Sequence, residues 1–178
     1  MCRQIADYTA LELECVQQMM HKYGDLYERG SLTTQEIYDN LCQMSQKKLN
    51  FNTVTQAISD IFKPNDPVIA IAHQVKEKGH RLFLLSNTCE AHFTFAISQF
   101  PFLKKFDGYV LSYEVGARKP EKKIYEKALE IAGCQNKECF YTDDILSYIE
   151  TARLLEIDAE QYTNPEELTQ HLLLRGIL

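Results

Sequence analysis

Three observations predict an α/β fold, a parallel sheet flanked by helices and preceded by a helical region. Residues 1–62 carry helical periodicity and no convincing strand, Lys63-Pro64-Asn65-Asp66-Pro67 interrupts it, and short apolar runs then alternate with amphipathic stretches as far as residue 163. That alternation is the pattern of βαβ units. Proline cannot continue a helix's hydrogen bonds, so the boundary falls there, giving a helical region over 1–64 and an α/β region over 65–178.

Within the first region, Ile5, Leu11, Leu13, Val16 and Met20 recur at spacings that a 3.6-residue period gathers on one side. Thr33-Thr34-Gln35-Glu36 is a capping box, in which the Thr33 hydroxyl and the Glu36 carboxylate satisfy each other's orphan amides; it predicts a helix running to about Met44. A further helix is expected over Thr53 to Ile61. Beyond the boundary, Asp66 to Lys78 reads as a helix closed by Gly79, and Arg81 to Leu85 as a buried strand. Ser86-Asn87-Thr88 is rich in cap residues and leads into a helix from about Cys89 to Gln99. Phe106 to Ser112 and Glu138 to Thr142 read as strands, with an amphipathic helix from Glu121 to Ala132 between them, stopped by Gly133. A helix over Ile145 to Leu155, a short strand over Ala159 to Thr163 and a C-terminal helix complete the series.

Composition narrows the function classes. A hydrophobic content of 45% with 25% charged residues belongs to a globular chain, and a net charge of −6 offers no positive field for a nucleic-acid backbone. The six cysteines form no Cys-x-x-Cys and the five histidines no metal-ligand pattern, so reduced thiols in a cytoplasmic protein are expected. No apolar run approaches the roughly 18 residues of a membrane span, so neither nucleic acid nor membrane is an expected partner.

In an open parallel sheet, ligands bind beyond the carboxyl ends of the strands. Ser86 follows the first strand directly, and its hydroxyl with the amides of Asn87 and Thr88 suits an anion; capping of the next helix by Ser86 or Asn87 is the competing reading. Lys119 precedes Pro120, which reads as the first residue of a helix, so the lysine joins a helix N-terminus as a second positive source, unless it is merely solvated. Asp143 and Asp144 end an apolar strand, where adjacent carboxylates repel unless a cation or hydrogen bonds hold them. Magnesium suits them, because it takes a few carboxylate oxygens and keeps water.

Taken in order, Leu84-Leu85-Ser86-Asn87-Thr88, Gly116-Ala117-Arg118-Lys119-Pro120 and Phe140-Tyr141-Thr142-Asp143-Asp144 resemble the second, third and fourth motifs of the haloacid dehalogenase-like (HAD) hydrolases. The stretch from Tyr27 to Glu36 is similar to part of that family's helical cap. The resemblance implies a magnesium-dependent phosphatase of a small phosphorylated metabolite, working through an aspartate nucleophile and a second aspartate as general acid/base. It gives Ser86 and Lys119 catalytic roles, phosphate binding to Ser86, Asn87, Thr88 and Lys119, and metal binding to Asp143 and Asp144. A non-catalytic phosphate-binding or protein-interaction module is the alternative.

The resemblance also implies an Asp-x-Asp at the end of a first strand ahead of the cap, and no aspartate of this sequence has another two residues on. The chain is therefore expected to be shortened, inactive as it stands, and to bind magnesium weakly or not at all. In the family the missing strand lies at the sheet's centre, between those ending at Ser86 and Asp143. Its loss leaves two unpaired edges, which predicts a homo-oligomer or a rearranged sheet rather than an intact monomeric core. A smaller departure is Tyr148, where relatives often carry asparagine.

Overall fold

The computed structural model describes residues 1–178, arranged as two compact units. One unit comprises Met1–Lys63, Asn87–Leu103 and Leu111–Gly116. Its helices are α1 (Cys2–Thr9), α2 (Leu13–Glu28), α3 (Thr34–Met44), α4 (Phe51–Ser59), α6 (Glu90–Gln99) and the short α7 (Ser112–Val115). The predicted capping box opens α3: the Glu36 amide donates to Thr33 Oγ1 at 3.2 Å and the Thr33 amide to Glu36 Oε2 at 2.8 Å. α4 begins two residues earlier than expected, because Asn50 Oδ1 accepts from the Thr53 amide at 3.1 Å and so caps the helix.

The core of this unit gathers Ile5, Val16, Met19, Ile37, Leu41, Val54 and Ile58, joined by Cys89 and Ala91 from the start of α6. α6 packs on α4, His92 Nε2 lies 3.1 Å from the Ile58 carbonyl oxygen, and the Phe62 and His92 rings meet edge to face at 5.5 Å. At Gly30 the φ is +68°, and a Cβ there would lie 2.1 Å from the Tyr113 carbonyl oxygen. Only glycine permits both that conformation and that approach.

The other unit comprises Pro64–Ser86, Lys104–Val110 and Ala117–Leu178. Along the chain its helices are α5 (Asp66–Glu77), α8 (Lys122–Ala132), α9 (Leu146–Leu154) and α10 (Pro165–Leu174). The strands are β1 (Phe83–Ser86), β2 (Gly108–Leu111, whose last residue falls in the first unit), β3 (Phe140–Asp143) and β4 (Asp158–Gln161). Gly79 and Gly133 follow α5 and α8 with φ of +87° and +60°, as expected of left-handed terminators. α5 packs against α10 through Ile71, Val75, Leu168 and Leu172.

The strands form two sheets of two, β1 with β2 and β3 with β4. β3 and β4 run parallel, with Phe140 opposite Asp158 and Asp143 opposite Gln161. Residues 1–20, mostly helical in α1 and α2, supply no middle strand. Parallel strands are ordinarily buried on both faces, yet no residue of β1 or β3 is fully buried. This corrects the expectation of a buried strand over Arg81 to Leu85.

Two terminus readings are corrected as well. The N-cap of α6 is Cys89, without a side-chain cap bond, so neither Ser86 nor Asn87 caps that helix. Pro120 lies in a turn joined to Lys119 by a cis peptide bond; α8 begins at Lys122, with Glu121 as its N-cap.

Candidate active site

Lys119 is 8% exposed, which excludes a merely solvated surface lysine. Its ammonium donates to Asp143 Oδ2 at 2.5 Å and to the Leu85 carbonyl oxygen at 3.0 Å. One cation thereby ties the carboxyl ends of β1 and β3, strands that belong to separate sheets. The Tyr148 ring centroid lies 5.1 Å from Nζ and the Tyr141 centroid 6.0 Å, close enough for their faces to attract the charge.

Asp143 is the most heavily engaged carboxylate of the site. Besides Lys119, its Oδ2 accepts from the Tyr141 hydroxyl at 2.8 Å, and Oδ1 accepts from the Ile145 amide at 3.0 Å. Burial pushes the Asp143 carboxyl upward, but the Lys119 bond and charge, with the Ile145 amide and the Tyr141 hydroxyl, outweigh it and hold the acid below the ordinary carboxylate range. The Tyr141 phenol is driven upward, first by burial and then by the Asp143 charge, and stays a donor. Strand geometry explains the partnership, since residues two apart project to one side. Tyr125 supports the group from α8: its ring meets Tyr141 edge to face at 5.8 Å, and its hydroxyl donates to the Tyr148 carbonyl at 2.9 Å.

The repulsion expected between Asp143 and Asp144 is thus relieved by Lys119, while Asp144 is exposed. Both aspartates line a cleft of about 290 Å³ with Asn65, Val68, Thr142, Tyr162 and Leu168. Thr142 Oγ1 is buried there without a hydrogen-bond partner, and Asn65 Nδ2 donates to the Tyr162 hydroxyl at 3.3 Å. Magnesium demands six oxygen ligands in near-octahedral order. No three His, Cys, Asp or Glu side chains gather to hold a metal, and both Asp143 oxygens are engaged. The residues present do not fit a magnesium site by themselves.

The predicted residues are brought together in part. Leu85 places Ser86 next to the lysine's carbonyl anchor, and Lys119 meets Asp143 directly. Asn87 and Thr88 fall in the other unit. The Thr88 amide, expected to face an anion, donates instead to Ser112 Oγ at 2.9 Å, and Ser112 returns a bond to the Thr88 carbonyl at 2.9 Å. Cys89 is 1% exposed and its thiol is pushed up to about 11, first by burial, which leaves it an inert packed residue.

Sequence reasoning missed Tyr141, Thr142 and the functional place of Tyr148. The first two carried a signal, being strand residues immediately ahead of Asp143; the third did not, because ring placement over Lys119 depends on how α9 packs.

The profile of the haloacid dehalogenase-like hydrolases matches residues 3–159. A crystal structure of a HAD family enzyme from Bacteroides thetaiotaomicron superposes with a TM-score of 0.77 at 24% identity, covering 91% of this chain and 84% of its own. The same enzyme in complex with magnesium and inorganic phosphate gives 0.75 at 24% identity, over 90% and 85%. A predicted HAD-like family hydrolase from Porphyromonas gingivalis gives 0.73 at 21% identity, over 96% and 87%. These likenesses establish the fold.

Proposed function

The chain belongs to the haloacid dehalogenase-like hydrolase family, and from that membership we propose a magnesium-dependent phosphatase of a small phosphorylated metabolite, cytoplasmic, and inactive as these 178 residues for lack of the Asp-x-Asp nucleophile. The observation that carries this reading is the Lys119 ammonium, buried and fixed between Leu85 and Asp143. A cation so placed neutralises negative charge as it gathers between a phosphoryl group and an attacking carboxylate, and it does so without reorganising. Ser86, just past Leu85, holds a phosphoryl oxygen through its hydroxyl. Asp143 positions Lys119, and Asp144 offers an exposed carboxylate toward magnesium.

Support for the phosphate comes from the fold neighbour crystallised with magnesium and inorganic phosphate. Support for inactivity comes from the sequence, which holds no Asp-x-Asp. The test extends the chain before residue 1 by an apolar strand ending in Asp-x-Asp and supplies an aryl phosphate with magnesium. Turnover by the extended chain, lost when its first aspartate is changed to asparagine, is expected. An inert extended chain that folds contradicts the reading.

One observation favours a second reading, a non-catalytic interaction module. β1 and β3 are incompletely covered strands in separate sheets, and a strand from another chain, including a second copy, would cover both.

A further inference from the structure

Between α8 and β3 the chain makes a short, tightly tied turn. After Gly133, Cys134 donates its amide to the Leu129 carbonyl at 3.4 Å, and residues Asn136–Glu138 form one turn of 3-10 helix. The Gln135 amide donates to Glu138 Oε2 at 2.7 Å, the Glu138 amide to the Gln135 carbonyl at 3.0 Å, and Asn136 Nδ2 to the Leu155 carbonyl. Cys139 follows and donates its amide to the Asn136 carbonyl at 3.4 Å. Both ends of the turn are held by backbone bonds, and they aim two thiols at one point: Cys134 Sγ and Cys139 Sγ lie 2.8 Å apart. No other two of the six cysteines are hydrogen-bonded to each other, and both of these side chains are partly exposed, within reach of a small oxidant.

We propose that Cys134 and Cys139 are a reversible oxidation site, closing to an intramolecular disulfide when the chain meets a small-molecule disulfide such as oxidised glutathione. The proposal is independent of the phosphatase reading. At rest the pair is a dithiol whose sulfurs share one hydrogen bond in which either can be the donor; burial, and then the Cys134 sulfur, push the Cys139 thiol up to about 12, so Cys139 is the poorer first nucleophile and Cys134 attacks first.

In the first step Cys134 gives its proton to solvent and its sulfur attacks one sulfur of oxidised glutathione. The glutathione S–S bond breaks, a Cys134–glutathione mixed disulfide forms, and one glutathione leaves as a thiolate that takes up a proton. Cys139 then gives its proton to solvent and attacks the Cys134 sulfur, forming the protein disulfide and releasing the second glutathione. Two protein thiols are oxidised and one glutathione disulfide is reduced. The new bond joins the end of α8 to the start of β3, the strand that ends at Asp143.

The test treats the native chain with oxidised glutathione, blocks remaining thiols with an alkylating reagent and maps the tryptic peptides. Cleavage after Lys137 separates the two cysteines, so the linked peptides remain joined only through sulfur. The joined species is expected to accumulate about tenfold faster in the native chain than in urea, because the fold orients the two sulfurs. Cys134→Ser should leave Cys139 largely unmodified, whereas Cys139→Ser should leave a stable glutathione adduct at Cys134. Independent stable adducts at both positions of the unsubstituted chain, or a joined species forming no faster in the native than in the unfolded chain, overturns the proposal.

Discussion

The Lys119 ammonium sits 2.5 Å from Asp143 Oδ2, with only 7% and 11% of the two side chains exposed. The same nitrogen donates to the Leu85 carbonyl oxygen at 3.0 Å, so a single buried cation serves both an acid and the end of β1. Removing one charge of such a pair strands the other in a poorly hydrated place, which costs about 3–5 kcal/mol.

Lys119→Met should therefore lower unfolding stability by about 3–5 kcal/mol in urea titrations. Lys119→Met with Asp143→Leu should cost less than the sum of the two single changes, because the double variant leaves no unpaired charge. Additive losses would show that the two residues do not interact.

Acid provides a second check on the pair. Asp143 titrates below its unfolded value, about 3.9 for an aspartate, so its contribution to stability is full above that value. The contribution disappears as the pH falls through the lower folded pKa. Stability measured from about pH 6 down to 2 should fall less steeply in Asp143→Asn than in the unsubstituted chain. Equal slopes would place no ionisable partner on Lys119.

Two glycines should respond with opposite sign. Gly24 lies within α2 with nothing within 4 Å of an added Cβ, and Gly24→Ala should raise stability by about 0.5–1 kcal/mol. Gly30→Ala meets the Tyr113 carbonyl at 2.1 Å in a left-handed conformation, and should lower it by about 2 kcal/mol or more. Thermal melts of the two variants decide the matter.

The incompletely covered strands β1 and β3 should make the chain self-associate with rising concentration. Sedimentation from low to high micromolar concentration measures this directly. A monodisperse monomer throughout would mean that the strands are stable without a partner.

Much of this architecture was legible because its signals are local. The capping box at Thr33 and Glu36 and the left-handed terminators Gly79 and Gly133 depend on a few neighbouring residues, and each stands where expected. Errors arose where partners are distant in sequence. Ser86-Asn87-Thr88 has the composition of a cap, but the Thr88 amide is claimed by Ser112, far along the chain, and the helix starts at Glu90. The rise in Lys119's importance is likewise tertiary: Lys-Pro before a helix is an ordinary surface pattern until Leu85 and Asp143 close around the ammonium. The proximity of Cys134 and Cys139 has no sequence signature, because it depends on the 3-10 turn between them.

On the function proposed above, these 178 residues carry the charge-stabilising part of a phosphoryl-transfer site without its attacking carboxylate. The most direct test of this claim is the release of phenolate from an aryl phosphate by the purified chain with magnesium. Release no faster than in buffer, and unchanged by Lys119→Ala, is the predicted result. Repeated turnover that Lys119→Ala abolishes would contradict the claim, because a carboxylate within the chain would then be doing the attack.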